Sequence, residues 1–419
     1  MVYIPFIYFI VLLLVNFIRV KSFNLGNLLL TLYAFSALLS IFLYNVEFLH
    51  YKNIEVTLAS TLFYCGALTV FFFPFLSNSQ SRGYKILLPD DKVFTYVSVF
   101  LIAVNVIAIL LLLKTIIFIL GYDPKSLRDA TLKNVYASGR FESMGMWLLG
   151  HFSDFYLVLL VFFFYSVTYL KKGFFFNALL LVASLSTIVN GLLSGGRTQI
   201  FYWLFVFASA YLYFRGDMPR RLRKWLVFFS LLLFCLVSVY IYTVTVSRFE
   251  GAFSGETDFD EAFSLLDYSG QIFLNFSNFF SNFEHKSHTL ARIFPFINSW
   301  VTGANFDFAT YKSSIYMDVG VFSTFLGDWL IDIGITGILI YTVVYSIASF
   351  FVTKDYTPGA RKLQHILLYF MVFQIPLNGL FYYSLHNKTA IISVYGTIII
   401  ALLFRFAEKE TIEVAKKPL

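Results

Sequence analysis

The residues best suited to chemistry sit in one short turn. Ser-Gly-Gly-Arg-Thr-Gln, at 194–199, joins two long apolar runs. Gly195 and Gly196 can take positive φ and let a ligand come close to the backbone. Thr198 begins the following helix, so its first free N–H groups and its positive end lie beside Arg197. Glycines, a helix N-terminus and an arginine suit a phosphate or diphosphate held at an exposed turn on the membrane surface. A Gly-Gly pair also makes a plain tight turn, and the sequence leaves both readings open. The phosphate-binding pattern GxxxxGK[ST] does not occur.

Other basic residues extend the first reading. Arg140, Arg248 and Arg292 flank apolar runs or lie in polar connections. Two or three such arginines could hold a lipid diphosphate, and fixed positive charge would favour its departure as a leaving group. Candidate general bases are Glu250, Glu284, His285 and His288, with His288 ranked first because Arg292 is near. Asp328 and Asp332 are four apart in FLGDWLIDIGITG and so share one helical face. Carboxylates at the mouth of a membrane span are costly and often functional, yet a helix N-terminus also favours them. No HExxH or CxxC spacing occurs, and DFDE at 258–261 reads equally well as a solvated turn, so no metal or other cofactor is expected.

The elements that must position these residues are membrane spans. The chain is 59% hydrophobic and 13% charged, with mean hydropathy +0.75. Soluble domains carry about 25% charged residues. Apolar runs fall at 3–18, 25–46, 54–76, 93–120, 146–170, 174–193, 198–214, 225–246, 325–352, 363–383 and 389–404. They are continuous, not alternating, which predicts helices and excludes a barrel. The expectation is an all-α polytopic membrane protein of about 11 transmembrane helices, each near the length of a bilayer crossing, in a single domain 1–419. The start, MVYIPFIYFI, lacks the features of a cleaved leader and reads as a retained span. Cys65 and Cys235 both lie in apolar runs, so no disulfide framework is implied.

Charge sets the expected orientation. The densest basic cluster, RGDMPRRLRK at 215–224, belongs in the cytoplasm by the positive-inside rule. Alternation then puts Arg19/Lys21, Arg82/Lys85/Lys92, Lys171/Lys172, Lys354/Arg361/Lys362 and the charged tail on the same side. The N-terminus falls outside and the C-terminus inside. Connections 121–145 and 247–322 fall outside, as does Arg197. The 247–322 stretch, about 75 residues between spans eight and nine, far exceeds an ordinary connection and reads as a cap over a site. Its FLNFSNFFSNF run, with Phe294, Phe296, Trp300 and Trp147, reads either as stacking surface for sugars or as interfacial anchors. The net charge of +7 follows from loop placement, and nucleic acid is not an expected partner.

Three features together resemble the O-antigen polymerase, or oligosaccharide repeat-unit polymerase, family of bacterial envelopes. They are SGGRT between mid-chain spans, a large external loop in the second half, and FLGDWLIDIGITGILIY after it. The resemblance implies a GT-C-like, metal-independent membrane glycosyltransferase at the outer face of the cytoplasmic membrane. It would move a nascent glycan from its polyprenyl diphosphate to the non-reducing end of a new lipid-linked repeat unit. Donor and acceptor are then polyprenyl-diphosphate-linked oligosaccharides in a lipid bilayer, and a chain-length regulator is left open as a partner. Arg197 corresponds to the family's motif arginine; Arg248 and Arg292 correspond by placement only. The implied catalytic set is Arg197, Arg248 and His288, with Gly195, Gly196, Thr198, Arg140, Arg292 and Asp328 contacting substrate. The related O-antigen ligases carry a histidine just before the last of these motifs. Here Ser323 and Thr324 stand there, which favours a polymerase over a ligase. A lipid-linked oligosaccharide flippase is the alternative from another class. Against it, the sequence has no internal repeat.

Overall fold

A computed structural model describes residues 1–46, 51, 54–77, 84–120, 140–193, 196–249, 260–282, 290, 293, 294, 298, 322–354 and 360–414. In chain order the elements are α1 (Ile4–Val20), α2 (Leu25–Asn45), α3 (Leu58–Ser77), β1 (Tyr84–Pro89), α4 (Asp91–Leu111), α5 (Leu113–Leu120), α6 (Arg140–Phe152) and α7 (Tyr156–Tyr165). Then come α8 (Phe174–Ser184), α9 (Ser186–Leu193), α10 (Thr198–Phe214), α11 (Arg220–Phe249), α12 (Asp260–Asn282) and α13 (Thr324–Thr353). β2 (Ala360–Lys362), α14 (Leu363–Asn378), α15 (Lys388–Phe406) and β3 (Glu408–Val414) complete the chain. Among the described residues, eight helical stretches are long and apolar enough to cross a membrane, and α1, α10 and α14 are shorter apolar helices. Together these coincide, within a few residues, with the apolar runs of the sequence. The protein is a multi-pass membrane protein, almost wholly helical.

Contacts divide the chain into two compact units. The first comprises Met1–Ser81, Ala262–Lys354 and Val372–Ile391. Its centre is aromatic: Phe9, Tyr33, Tyr64, Phe71 and Phe72 of α1–α3 are fully buried, as are Phe273 and Phe276 of α12 and Trp329 of α13. Small residues let α12 approach α2. The Ser36 and Ser40 hydroxyls donate to the carbonyls of Ser269 (2.8 Å) and Gly270 (2.6 Å). A Cβ on Gly270 would lie 2.9 Å from the Leu39 carbonyl, so only glycine fits there. Against α3, the Ser60 and Ser277 hydroxyls share a 2.7 Å bond and Phe273 and Phe276 each lie 5.1 Å from Tyr64. The aromatic run expected at the membrane interface is therefore packed as core. The stretch expected to form an external cap therefore contains this buried helix, Asp260–Asn282.

The helix α14 carries Pro376, which has no N–H to give to the carbonyl four residues back. That carbonyl, of Val372, instead accepts from the Tyr345 hydroxyl at 2.6 Å. A backbone group freed inside the membrane is thus satisfied by a neighbouring helix.

The run 325–352, read from sequence as one span, is broken. Gly334 has φ 68° and ψ −177°, a conformation essentially restricted to glycine. In a straight helix, residues 329 and 341 would stand about 18 Å apart. The Trp329 and Tyr341 rings are 4.5 Å apart, and Phe71 contacts both Trp329 and Tyr345. The chain therefore doubles back at Gly334. Residues 324–332 are all buried, whereas Ile335, Leu339, Ile340, Val343, Val344 and Ile347 after the break are exposed along an apolar flank. About 19 residues remain beyond the break, roughly 28 Å of helix, still the thickness of a bilayer core.

The second unit comprises Arg82–Glu261, Asp355–Met371 and Ile392–Leu419. At one end is a three-stranded sheet in the order β2-β1-β3, with β1 parallel to β2 and antiparallel to β3. Ile86 pairs with Arg361 on one side and Ile412 on the other, and its side chain is fully buried. The sheet is an addition to the all-α architecture expected from the sequence, and the charged tail supplies one of its strands. These strands are three to seven residues long and carry no alternating pattern, so only their pairing across distant segments defines them.

The same end gathers other connections. Lys172 pairs with Asp91 at 2.6 Å, the Tyr169 hydroxyl donates to Asp217 at 2.6 Å, and the Asp90 N–H donates to the Ala407 carbonyl. Connections 84–91, 171–173, 215–219 and 360–362 and the tail, all expected on one side by charge, do share one end of this unit. If Gly334 is the hinge of a doubled-back helix, Gly334→Ala should lower the thermal midpoint of the purified protein by several degrees, reflecting a cost of about 1–3 kcal/mol. Gly66→Ala, in open space on α3, should leave it unchanged; equal midpoints for the two variants would contradict the hinge.

Candidate functional site

The described part of the turn, Gly196, Arg197, Thr198 and Gln199, lies at the end of the second unit away from the sheet. Helix α9 reaches it and α10 leaves it. The Gly196 N–H donates to the Gly191 carbonyl at 2.7 Å, closing the last turn of α9. Arg197 is the N-cap of α10, with φ −103° and ψ −21°, and its carbonyl accepts from Ile200 N–H at 3.1 Å. The hairpin is tight because small residues face α10. A Cβ on Gly191 would lie 2.9 Å from Cβ of Gln199, and one turn further Trp203 Nε1 donates to Ser184 Oγ at 3.0 Å. Gly191 and Ser184 were not singled out by sequence; their signal is a small residue opposite each large one of the partner helix.

This packing corrects the expectation of an exposed arginine. Arg197 is only 5% exposed, and Thr198 and Ile200 beside it are buried too. Drawing α10 against α9 covers the first turn of the helix. Gly196, Arg197 and Thr198 are thus brought together as a fixed, covered N-terminus. Among the other predicted site residues, Arg140 is the first residue of α6 and Arg248 lies in the last turn of α11. Gly195, His288 and Arg292 fall outside the described residues.

Asp328 belongs to the first unit, in the half-helix before Gly334. Every part of this segment is tied to its surroundings. Ser323 and Thr324 N–H groups donate to the Phe381 carbonyl (3.2 and 3.1 Å), and Phe325 N–H donates to the Gly379 carbonyl (2.9 Å). From α12, Gln271 Oε1 accepts the Phe322 N–H (3.2 Å) and Asn275 Nδ2 donates to its carbonyl (3.1 Å). The carboxylates complete the set. Asp328 accepts from Tyr383 N–H at 2.5 Å, and Asp332 accepts from Ile293 N–H at 2.8 Å. Both aspartates are 1% exposed. They share one helical face, as their spacing predicted, and they hold two separate loop segments to it. Asp332 anchors the residue next in sequence to Arg292.

Trp329 fills the centre of this cluster. Its ring lies 4.5 Å from Tyr341, 4.7 Å from Phe325 and 5.7 Å from Tyr383. Among the described residues, the buried Trp329 Nε1 has no hydrogen-bond partner. At the start of α13, Thr324 Oγ1 accepts from Leu326 N–H at 3.1 Å. Among the described residues no three His, Cys, Asp or Glu side chains converge as metal ligands.

No protein-family model, curated protein or solved structure matches the chain. The site is therefore read from its own residues. If Asp328 chiefly secures the 379–383 turn, Asp328→Ala should cost about 1–3 kcal/mol by orphaning a buried amide. Asp328→Asn keeps an acceptor oxygen and should retain most of the stability. Unfolding of both variants in detergent checks this; equal loss in Asn and Ala would assign the role to the charge instead.

Proposed function

We propose that this protein is a membrane glycosyltransferase that polymerises polyprenyl-diphosphate-linked repeat units into a surface polysaccharide. It works at the outer face of a bacterial cytoplasmic membrane, with the N-terminus outside and the C-terminus inside. The observation that carries the reading is Arg197 as the N-cap of α10, at the end of its unit opposite the basic, sheet-bearing connections. A helix N-terminus with an arginine at its first position concentrates positive charge where a diphosphate would leave. A guanidinium already withdrawn from water is also preorganised, and it loses little hydration when the anion arrives. The charge-rich end, by the positive-inside rule, faces the cytoplasm.

A second reading draws on a specific feature. Discontinuous helices with buried carboxylates are a device of transporters, and α13 has both. A lipid-linked oligosaccharide flippase is thus the alternative. Polymerase is preferred because Asp328 and Asp332 are engaged by the backbone N–H groups of Tyr383 and Ile293. The O-antigen ligase reading stands behind both, since a threonine cap occupies the histidine position.

A strain lacking the protein separates the three. For a polymerase, the surface-glycan ladder should collapse to a single repeat unit on the final acceptor. Long polymer stranded on the polyprenyl carrier would indicate a ligase, and single units confined to the cytoplasmic leaflet a flippase. Within the polymerase reading, Arg197→Ala should cut polymer formation by roughly 100-fold or more at normal protein level. Arg197→Lys should recover part of it, since the charge returns without the planar fork. A full-length ladder from a well-expressed Arg197→Ala protein would rule out this use of the turn.

A further inference from the structure

A cavity of about 500 Å³ opens at the sheet-bearing end of the second unit, between the first turn of α14 and the last turns of α15. Nothing in the proposed transfer reaction uses it. Its chemistry is divided. On one side stand Lys362, His365 and Arg405; on the other, Leu368, Ile398 and Leu402. Lys362 ends β2 and leads without a break into α14, so the positive end of that helix adds to the basic side. Gln364 also lines the cavity. It is 7% exposed, and its Oε1 has no hydrogen-bond partner among the described residues. A buried amide oxygen there calls for a donor from a bound group.

The apolar side has a direction. Leu402 lines the cavity and is 46% exposed; Leu403 and Phe406 beside it are 49% and 85% exposed. The cavity therefore opens onto the apolar flank of α15, the face a membrane-spanning helix gives to acyl chains. A soluble metabolite would gain nothing from that flank.

We propose that this cavity is a site for an anionic glycerophospholipid. Its phosphate lies among Lys362, His365 and Arg405, a headgroup hydroxyl donates to Gln364 Oε1, and its chains follow the exposed leucines of α15. The site lies with the basic connections, where juxtamembrane positive charge and anionic leaflet lipid attract each other. It does not depend on the glycosyltransferase reading.

The test uses the purified, delipidated full-length protein. Thermal midpoints are titrated with phosphatidylglycerol, phosphatidylcholine and soluble glycerol phosphate. Phosphatidylglycerol should stabilise the protein at concentrations where phosphatidylcholine does not. Lys362→Ala with Arg405→Ala should weaken that effect at least about tenfold, as expected for the loss of two charge-assisted contacts. Gln364→Leu should narrow the preference for phosphatidylglycerol over phosphatidic acid, which lacks the extra hydroxyls. Should the double variant fold poorly, Lys362→Gln alone and the lipid comparison on the unaltered protein decide the matter. Equal stabilisation by both lipids, or a variant that responds as the unaltered protein does, would overturn the site. Equal stabilisation by glycerol phosphate alone would overturn the lipid and leave a soluble phosphate ester as its ligand.

Discussion

A helix interrupted inside a membrane protein has no water to take up its loose backbone groups, so other parts of the chain must supply the partners. That requirement explains most of the first unit. The break at Gly334 creates a buried half-helix, and its start at Ser323 would leave several N–H groups bare. The carbonyls of Gly379 and Phe381 accept them. Those carbonyls are available because α14 ends at Asn378 and the chain turns there. Gly379 must be a glycine, since a Cβ would come within 2.6 Å of Phe325. The turn in turn needs its own anchor, and Asp328 provides it through Tyr383 N–H. Gln271 and Asn275 stand on α12 where the preceding segment enters. Charged and amide side chains that look like candidates for chemistry are here the means of burying a helix end.

The second unit meets a different constraint. The sheet ties together three of its segments that are far apart in sequence. Strands this short have no stability alone. They hold because the helices already deliver them to one end, and because Ile86 is buried beneath them. The sheet, the Lys172–Asp91 pair and the Tyr169–Asp217 bond then fix the spacing between helices at that end. At the opposite end the corresponding work is done by close packing: Gly191 on Gln199, Gly396 on Phe155, and Ser393 Oγ on the Asp154 carbonyl. One end is secured by polar links and the other by small residues.

These differences govern what could be read in the sequence. Helix positions were legible because lipid imposes a length and a polarity that twenty-residue windows report directly. That connections 84–91, 171–173, 215–219 and 360–362 and the tail gather at one end of the second unit was legible through lysine and arginine. The break at Gly334 was not, since an apolar run is equally apolar on both sides of a hinge. Its one trace is that 325–352 is longer than a crossing requires. The burial of α12 was hidden by composition. DEAFSLLDYSGQIFLNFSNFFSN mixes serine, asparagine and phenylalanine, and such a helix looks interfacial until its serines are seen paired to α2 and α3. The short strands carry no period, so pairing partners hundreds of residues away decide them. In the candidate site, the spacing of Asp328 and Asp332 correctly placed them on one face, but their partners are backbone groups, which no residue identity announces.

The burial of Arg197 bears on how a positive charge is accommodated at the end of the unit opposite the sheet. An exposed arginine there would oppose the charge bias that orients the chain, and solvent would screen whatever it could offer a substrate. Buried at the N-cap of α10, the same guanidinium sits in a medium of lower polarity, where its field on a nearby anion is larger. The cost is desolvation, and it is met only if the neighbours are polar and fixed. The hairpin provides fixity through Gly191, Gln199 and the Trp203–Ser184 bond, and the N-terminus of α10 adds N–H groups that do not move. A diphosphate is the kind of ligand that gains most from such a site, because its charge grows on the leaving oxygens as the sugar bond breaks. A neutral sugar would gain little from it. On the proposed reading, the same packing that hides the arginine would favour an anion over a neutral ligand.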